Sequence, residues 1–258
     1  MVMATLASAA ALRAGVRSVS RIFLFPSWRV AARATPDDLV THELVASDGV
    51  AVRALELPAP AGARTVVHFH NNRETAEAGV ELARALRARG VGVLLVEYRG
   101  YGASRDGAPS EEGLYRDAEA ALAMLATRGV GPERVVLLGT SLGTGVAAEM
   151  ARRGRGKRLV LVSPYTSIPD LVTGVVPVLP ARLLLTDHFD TLAKAADVHV
   201  PALVIHGDAD DVVPFAMGER VAVALGARFL RVAHGGHGDL FAREGERLLD
   251  AIVALAKD

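Results

Sequence analysis

Val135-Val136-Leu137-Leu138 runs unbroken into Gly139-Thr140-Ser141-Leu142-Gly143, and Thr144-Gly145-Val146-Ala147-Ala148 follows at once. Four consecutive apolar residues read as a strand covered on both faces, since such a strand has no solvent side to keep polar. The small residues after the turn read as the first turns of a helix packed close to that strand. Between them stands Gly-x-Ser-x-Gly, a strand-to-helix turn that strains its serine into exposure and needs its flanking glycines for close backbone packing. The N-terminus of the helix behind the serine favours negative charge developing beside it. Ser141 is therefore a candidate nucleophile, set between a β and an α element.

Working outward, the same alternation repeats. Strands are expected near Val50–Leu57, Thr65–Phe69, Val91–Val96, Arg134–Leu138, Leu159–Val162, Ala202–Ile205 and Arg228–Val232. Helices are expected at Glu74–Arg89, Gly113–Arg128, Gly143–Arg153, Met217–Leu225 and Asp239–Ala256, with Gly90 and Gly129 where C-terminal caps belong. Strands alternating with helices make a mostly parallel sheet covered on both faces, the α/β class. No linker, repeat or low-complexity tract interrupts residues 26–258, which read as one domain. Ser163 to Pro201 lacks a strand, and prolines at 164, 169, 177 and 180 predict short broken helices there.

The 258 residues balance 29 Lys and Arg against 29 Asp and Glu, which removes the global electrostatic case for a nucleic-acid partner. With no cysteine, disulfides, thiolate catalysis and Cys-ligated metal sites are excluded. Residues 1–25 read as an N-terminal amphipathic segment. Met1 to Leu12 is apolar and Arg13, Arg17 and Arg21 follow, the wrong order for a secretory signal and too short to span a bilayer. Two readings stay open: a peripheral contact with a membrane surface, or a helix against the domain with its arginines solvated. The expected location is cytoplasmic, with membrane association under the first reading.

A serine is a weak nucleophile without a base, and the base needs an acid to orient it. The strand ending at Ile205 leads into His206-Gly207-Asp208-Ala209-Asp210-Asp211-Val212-Val213-Pro214, and the strand ending at Val232 into Gly235-Gly236-His237-Gly238-Asp239. Of the chain's eight histidines, only His237 is flanked by glycines in a loop after a strand near the C-terminus. Asp208, Asp210 and Asp211 are all available as the acid. His42, His188 and His199 read as surface or capping residues.

These motifs, with Glu97-Tyr98-Arg99-Gly100-Tyr101-Gly102-Ala103-Ser104, Pro109-Ser110-Glu111, Leu114-Tyr115-Arg116-Asp117, Ser163-Pro164-Tyr165-Thr166-Ser167 and Phe189-Asp190-Thr191, occur in one order from about Phe23 onward. In them the sequence resembles the α/β-hydrolase domain-containing proteins that include acyl-protein thioesterases and lysophospholipid or monoacylglycerol lipases. The resemblance implies the α/β-hydrolase fold: a mostly parallel eight-stranded sheet flanked by helices, with a short cap and no inserted lid domain. It implies catalysis by Ser141 and His237, and picks Asp210 as the acid from the spacing of His-Gly-x-x-Asp-x-x-Val-Pro. It further implies an oxyanion hole from the backbone amides of Asn72 and Leu142. Here the chain departs from the family, because His70-Asn71-Asn72 replaces His-Gly-Asn. Asparagine tolerates a left-handed backbone, so the loop is expected to keep its shape with Asn71 in that conformation.

Other readings weigh less. Gly143-Thr144-Gly145-Val146-Ala147-Ala148 loosely matches a dinucleotide fingerprint, but the next strand ends in Val162-Ser163 without a ribose-binding acid. His68-x-His70 lacks a third ligand at metalloprotease spacing. The basic run Arg152-Arg153-Gly154-Arg155-Gly156-Lys157-Arg158 reads as a solvated loop before a lipid-headgroup contact. The expectation is therefore a serine hydrolase of carboxylic esters or thioesters, without metal or organic cofactor. Its substrate is a small acyl compound, a lipid or an acylated protein. An aminopeptidase of the same fold and a non-catalytic binding protein are the alternatives. The short connection from Ser163 to Pro201 argues against the peptidase, whose relatives usually carry a helical cap there.

Overall fold

A computed structural model describes residues 24–258. The amphipathic segment expected over residues 1–25 lies almost wholly outside the described residues. Eight strands form one sheet: β1 (Val40–Val45), β2 (Ala51–Leu57), β3 (Thr65–Phe69), β4 (Gly92–Val96), β5 (Val135–Thr140), β6 (Arg158–Val162), β7 (Ala202–Gly207) and β8 (Arg228–Val232). Their order is β1-β2-β4-β3-β5-β6-β7-β8. β2 runs antiparallel to β1 and β4, and every other pairing is parallel.

Successive residues of the middle strands point to opposite faces, and each face has its own core. Val67, Phe69, Leu94, Val96, Leu137, Leu159 and Leu161 pack toward α2 (Glu111–Thr127) and α3 (Leu142–Arg152). Val66, Val93, Leu95, Val136, Leu138, Val160 and Val162 pack toward α1 (Val80–Ala88) and, across the sequence, toward the C-terminal helix Leu240–Lys257. Each fully buried Val or Leu contributes about 1.5–3 kcal/mol, so continuous apolar runs are what this double burial demands.

β1 was not among the expected strands. It is an edge strand whose only fully buried residue is Leu44, so its sequence carries little apolar signal. The helix expected over Glu74–Arg89 begins later, as a 3-10 turn at Ala76–Gly79 followed by α1 at Val80. Thr75 is extended, which leaves Glu74 in the loop after β3. α2 starts two residues earlier than expected because the Ser110 hydroxyl caps it, accepting from the Gly113 amide at 3.1 Å. Between β6 and β7 lie three short helices, α4 (Ile168–Val175), α5 (Ala181–Leu184) and α6 (Thr191–Ala195), the broken run that the prolines predict. α7 (Phe215–Leu225) precedes β8, and α8 (Leu240–Lys257) closes the chain.

The strand order places a crevice. From β3 the chain crosses to β4 on one side, and from β5 it proceeds to β6, β7 and β8 on the other. Loops leaving adjacent β3 and β5 therefore diverge, and the space beyond their carboxyl ends is where ligands bind in such sheets. Asn71, Asn72 and Ser141 all lie there.

Candidate active site

Ser141 caps α3 with φ 51° and ψ −115°, a conformation side-chain-bearing residues avoid. The turn is built so tightly that a Cβ at Gly139 would stand 2.3 Å from the Gly143 carbonyl oxygen, and one at Gly143 would stand 2.0 Å from that of Phe69. Both glycines are thus required by backbone contact. Strain of about 1–3 kcal/mol at such a residue persists only where surroundings fix it. Here the Ser141 amide donates to the Val162 carbonyl at 2.9 Å. The Thr144 hydroxyl donates to the Ser141 carbonyl at 2.6 Å, and the Tyr165 hydroxyl to that of Leu142 at 3.1 Å.

The structure brings the three sequence-expected side chains together. His237 Nε2 lies 2.9 Å from Ser141 Oγ, and His237 Nδ1 lies 2.8 Å from Asp210 Oδ2. The other Asp210 oxygen accepts the amides of Val212 and Val213 at 2.9 and 2.8 Å. Burial pushes the Asp210 carboxyl up. The N–H groups of His206, His237 and Val213 outweigh that and hold it well below the usual carboxylate range. Asp208 is turned away, bound to Arg231 and to the His234 amide, and Asp211 is exposed. Only Asp210 meets the imidazole.

Asn72 and Leu142 flank Ser141 in one cleft of about 330 Å³. Its apolar wall is Leu24, Ile168, Leu171, Val212 and Val213, and Asn71, Arg73 and Glu74 supply polar groups. Asn71 is not left-handed: among the described residues only Ser141, Ser163, Phe189 and His234 are non-glycines with positive φ. The expectation for its backbone is corrected accordingly. Its side-chain oxygen accepts the Arg73 amide at 2.8 Å, an Asx turn that shapes the loop without glycine. The loop is pinned from below by two hydroxyls, Tyr98 donating to the His70 carbonyl at 3.3 Å and Tyr101 to that of Asn72 at 3.2 Å. Buried Glu97 fixes the segment bearing these tyrosines, accepting from Arg53 at 2.9 Å and from the Ala103 amide at 3.0 Å.

A second cleft of about 370 Å³ shares Asn71, Glu74 and His237 and runs between α1 and α8 past His68 and Thr140. Burial pushes the Glu74 carboxyl up, against the opposing pull of Asn71, Arg33 and His237. His68 and His70 have separate partners. His68 Nε2 meets the Thr140 hydroxyl at 3.2 Å, while His70 Nδ1 donates to the Asn71 carbonyl at 2.6 Å and its ring packs on Tyr98. Burial lowers them to about 3 and about 4, respectively, so both are neutral near pH 7. Among the described residues no group of three His, Asp or Glu side chains could hold a metal ion, and no helix is long and apolar enough to cross a membrane.

Sequence reasoning did not single out His206, Tyr98, Tyr101 or Glu74 for the site. The tyrosines were visible only as motif members, and their hydroxyl contacts span about thirty residues. His206 had a signal, standing four residues before the candidate acid.

A strained serine at the switch point of an eight-stranded α/β sheet, bonded through a histidine to a buried aspartate, defines the class of α/β hydrolases. A family model described as serine aminopeptidase, S33, matches residues 61–189, half of the chain. The uncharacterized protein Rv2307c of Mycobacterium tuberculosis (strain ATCC 25618 / H37Rv) is 43% identical over 175 residues, 67% of this chain and 62% of its own length. The uncharacterized protein YfhR of Escherichia coli (strain K12) is 30% identical over 229 residues, 82% of this chain and 80% of its own length. The solved esterase Pf2001 of Pyrococcus furiosus superposes with a TM-score of 0.73 over 89% of this chain and 97% of that one, at 17% identity, a likeness of fold. The chain belongs to this α/β-hydrolase family, and it spans less than two thirds of the length of the first of these relatives.

Proposed function

We propose that the protein is a serine hydrolase cleaving a carboxylic ester or thioester through an acyl-enzyme. The observation that carries this reading is the continuous relay from Ser141 Oγ to His237 at 2.9 Å and from His237 to Asp210 at 2.8 Å. Ser141 attacks the acyl carbonyl as His237 Nε2 takes its proton, and Asp210 orients the ring and stabilises the imidazolium. The backbone amides of Asn72 and Leu142 receive the tetrahedral oxyanion. His237 then protonates the departing alcohol or thiol. Water, deprotonated by the same nitrogen, attacks the acyl-enzyme and releases the acid and Ser141. No metal or organic cofactor enters the scheme.

The apolar wall of the cleft supports an acyl chain of modest length, carried by a small ester, a lipid or an acylated protein. We place the protein in the cytoplasm, with a peripheral membrane contact through residues 1–25. An aminopeptidase reading is favoured by the description of the matching family model. Three short helices in place of a larger cap support the ester reading instead. The test is fluorophosphonate labelling of Ser141, followed by turnover of aryl esters of graded acyl length, their thioesters and aminoacyl arylamides. Labelling with ester or thioester turnover is expected. Labelling with arylamide turnover alone selects the peptidase, and absence of labelling leaves a non-catalytic binding protein.

A further inference from the structure

We propose that His206 is a positioning residue, a second imidazole whose N–H edge is set against the Asp210 oxygen that orients His237. The inference rests on the serine-hydrolase reading and deepens it. β7 ends in His206-Gly207, and the chain turns so that Asp210 comes back over the strand end. His206 Nε2 stands 3.2 Å from Asp210 Oδ2 and 3.1 Å from the Val213 carbonyl oxygen, with both side chains fully buried. A carboxylate and a carbonyl can only accept, so Nε2 carries a proton, which it donates to the Val213 carbonyl while presenting the same N–H edge to Asp210 Oδ2.

His206 Nδ1 is buried and has no hydrogen-bond partner. It faces α7 at Gly218, where a Cβ would come within 2.1 Å of it, and the Phe215 ring lies edge-on at 5.7 Å. Burying an unpaired ring nitrogen is unfavourable, and an apolar residue would fill this space without that penalty. What the imidazole adds is its hydrogen bond to the Val213 carbonyl and its contact with Asp210, which together hold the turn bearing the acid.

A carboxylate offers about four lone-pair sites. Val212 and Val213 donate to one oxygen and His237 to the other, and His206 Nε2 stands against the latter at 3.2 Å. These three hydrogen bonds and the His206 contact resist rotation of the carboxylate and keep Oδ2 aimed at His237 Nδ1. The His206 N–H edge also offsets part of the charge on Oδ2, the oxygen that faces the His237 ring. The titratable groups facing Asp210 are these two histidines. Asp208 is turned to Arg231 and Asp211 to solvent.

The test compares His206→Gln with His206→Asn. A glutamine amide nitrogen can stand where imidazole Nε2 stood, and an asparagine amide stops short of it. His206→Gln should keep kcat within about threefold, while His206→Asn should lower kcat by about 10- to 100-fold with KM little changed, as loss of a supporting hydrogen bond does at other sites. The acid limb of kcat/KM should move up by about half a pH unit or more in His206→Asn, because Asp210 then grips the His237 proton harder. In an Asp210→Asn background the same change should cost less than about twofold more, since its route of action is already gone. Equal losses in the Gln and Asn variants, an unmoved acid limb, or additive losses with Asp210→Asn would overturn the proposal. Nitrogen NMR of the wild-type protein decides without a variant: His206 must be the neutral Nε2–H tautomer at neutral pH, and any other form sinks the idea. A wild type that neither labels nor turns over esters fails the functional reading and this inference with it. An active wild type indifferent to His206→Asn fails only this one.

Discussion

Ser141 is half-buried at a turn, and its hydroxyl contacts His237. Removing the hydroxyl deletes the proposed nucleophile but little packing. Ser141→Ala is therefore expected to lower kcat by about 10³-fold or more, with its thermal midpoint near that of wild type. Purified Ser141→Ala that keeps most of its activity on a short-chain aryl ester would end the mechanism. The acid is tested in the same way. Asp210→Asn breaks the bond to His237 Nδ1, whereas Asp208→Asn loosens Arg231 and Asp211→Asn alters a solvated group. Activity should fall far more in the first than in the other two, and comparable losses in all three with folding intact would mean the acid is misassigned. Ser141, His237 and the Asp208–Asp211 cluster were legible because each is pinned between short-range signals, glycines and strand ends. Choosing among the three aspartates needed a family spacing, since side-chain direction in a turn is set by backbone contacts no local pattern reports. His206 was passed over for that reason, its role lying in one contact four residues along.

Elements were legible where burial is two-sided. β3 to β7 read correctly because both cores demand apolar side chains, and β1 did not because one buried leucine leaves no periodicity. The end of β3 carries a consequence for stability. Unfolded histidine titrates near 6.5. In the fold, burial holds His68 at about 3 and His70 at about 4. Below pH 6.5 the unfolded chain takes up protons that the folded chain refuses, so their contribution is full above pH 6.5 and drains away as pH falls toward 4 and 3. Asp210, held low, adds its own loss only below about pH 4, where unfolded aspartate protonates. Glu97 and Asp117, pushed up by burial, act in the opposite sense. A variant therefore reads the effect better than the wild-type curve. His68→Gln, which can still bond the Thr140 hydroxyl, should lose less stability between pH 6.5 and 4 than wild type, by about 1–3 kcal/mol in urea unfolding. Parallel pH dependences would show that His68 takes up its proton in the folded protein.

At the scale of the whole molecule the surroundings of the cleft bear on how substrate would arrive. Leu24, the first described residue, lines the cleft beside Ser141. The cap next to the cleft bears exposed apolar side chains, Val175 and Leu183 on its helices and Val178 in the connection between them, and Val212 stands exposed in the cleft wall. We propose that this apolar rim and the arginines at 13, 17 and 21 meet an anionic membrane together and draw acyl substrate from it. Attraction of about 1 kcal/mol per basic residue near an anionic surface, with modest apolar burial, gives reversible attachment. The full chain should sediment with phosphatidylserine-containing vesicles at low salt and be released as salt rises, because screening shortens the reach of the arginines. A chain beginning at Phe23 should bind more weakly and lose most of its salt dependence. Val178→Asp in the full chain should weaken binding at every salt concentration, since it removes apolar contact and adds a repelled charge. If the full chain stays in the supernatant at low salt, substrate comes from solution and the valine rim has another use. If the shortened chain binds as well as the full one, the arginines take no part and the rim alone holds the surface.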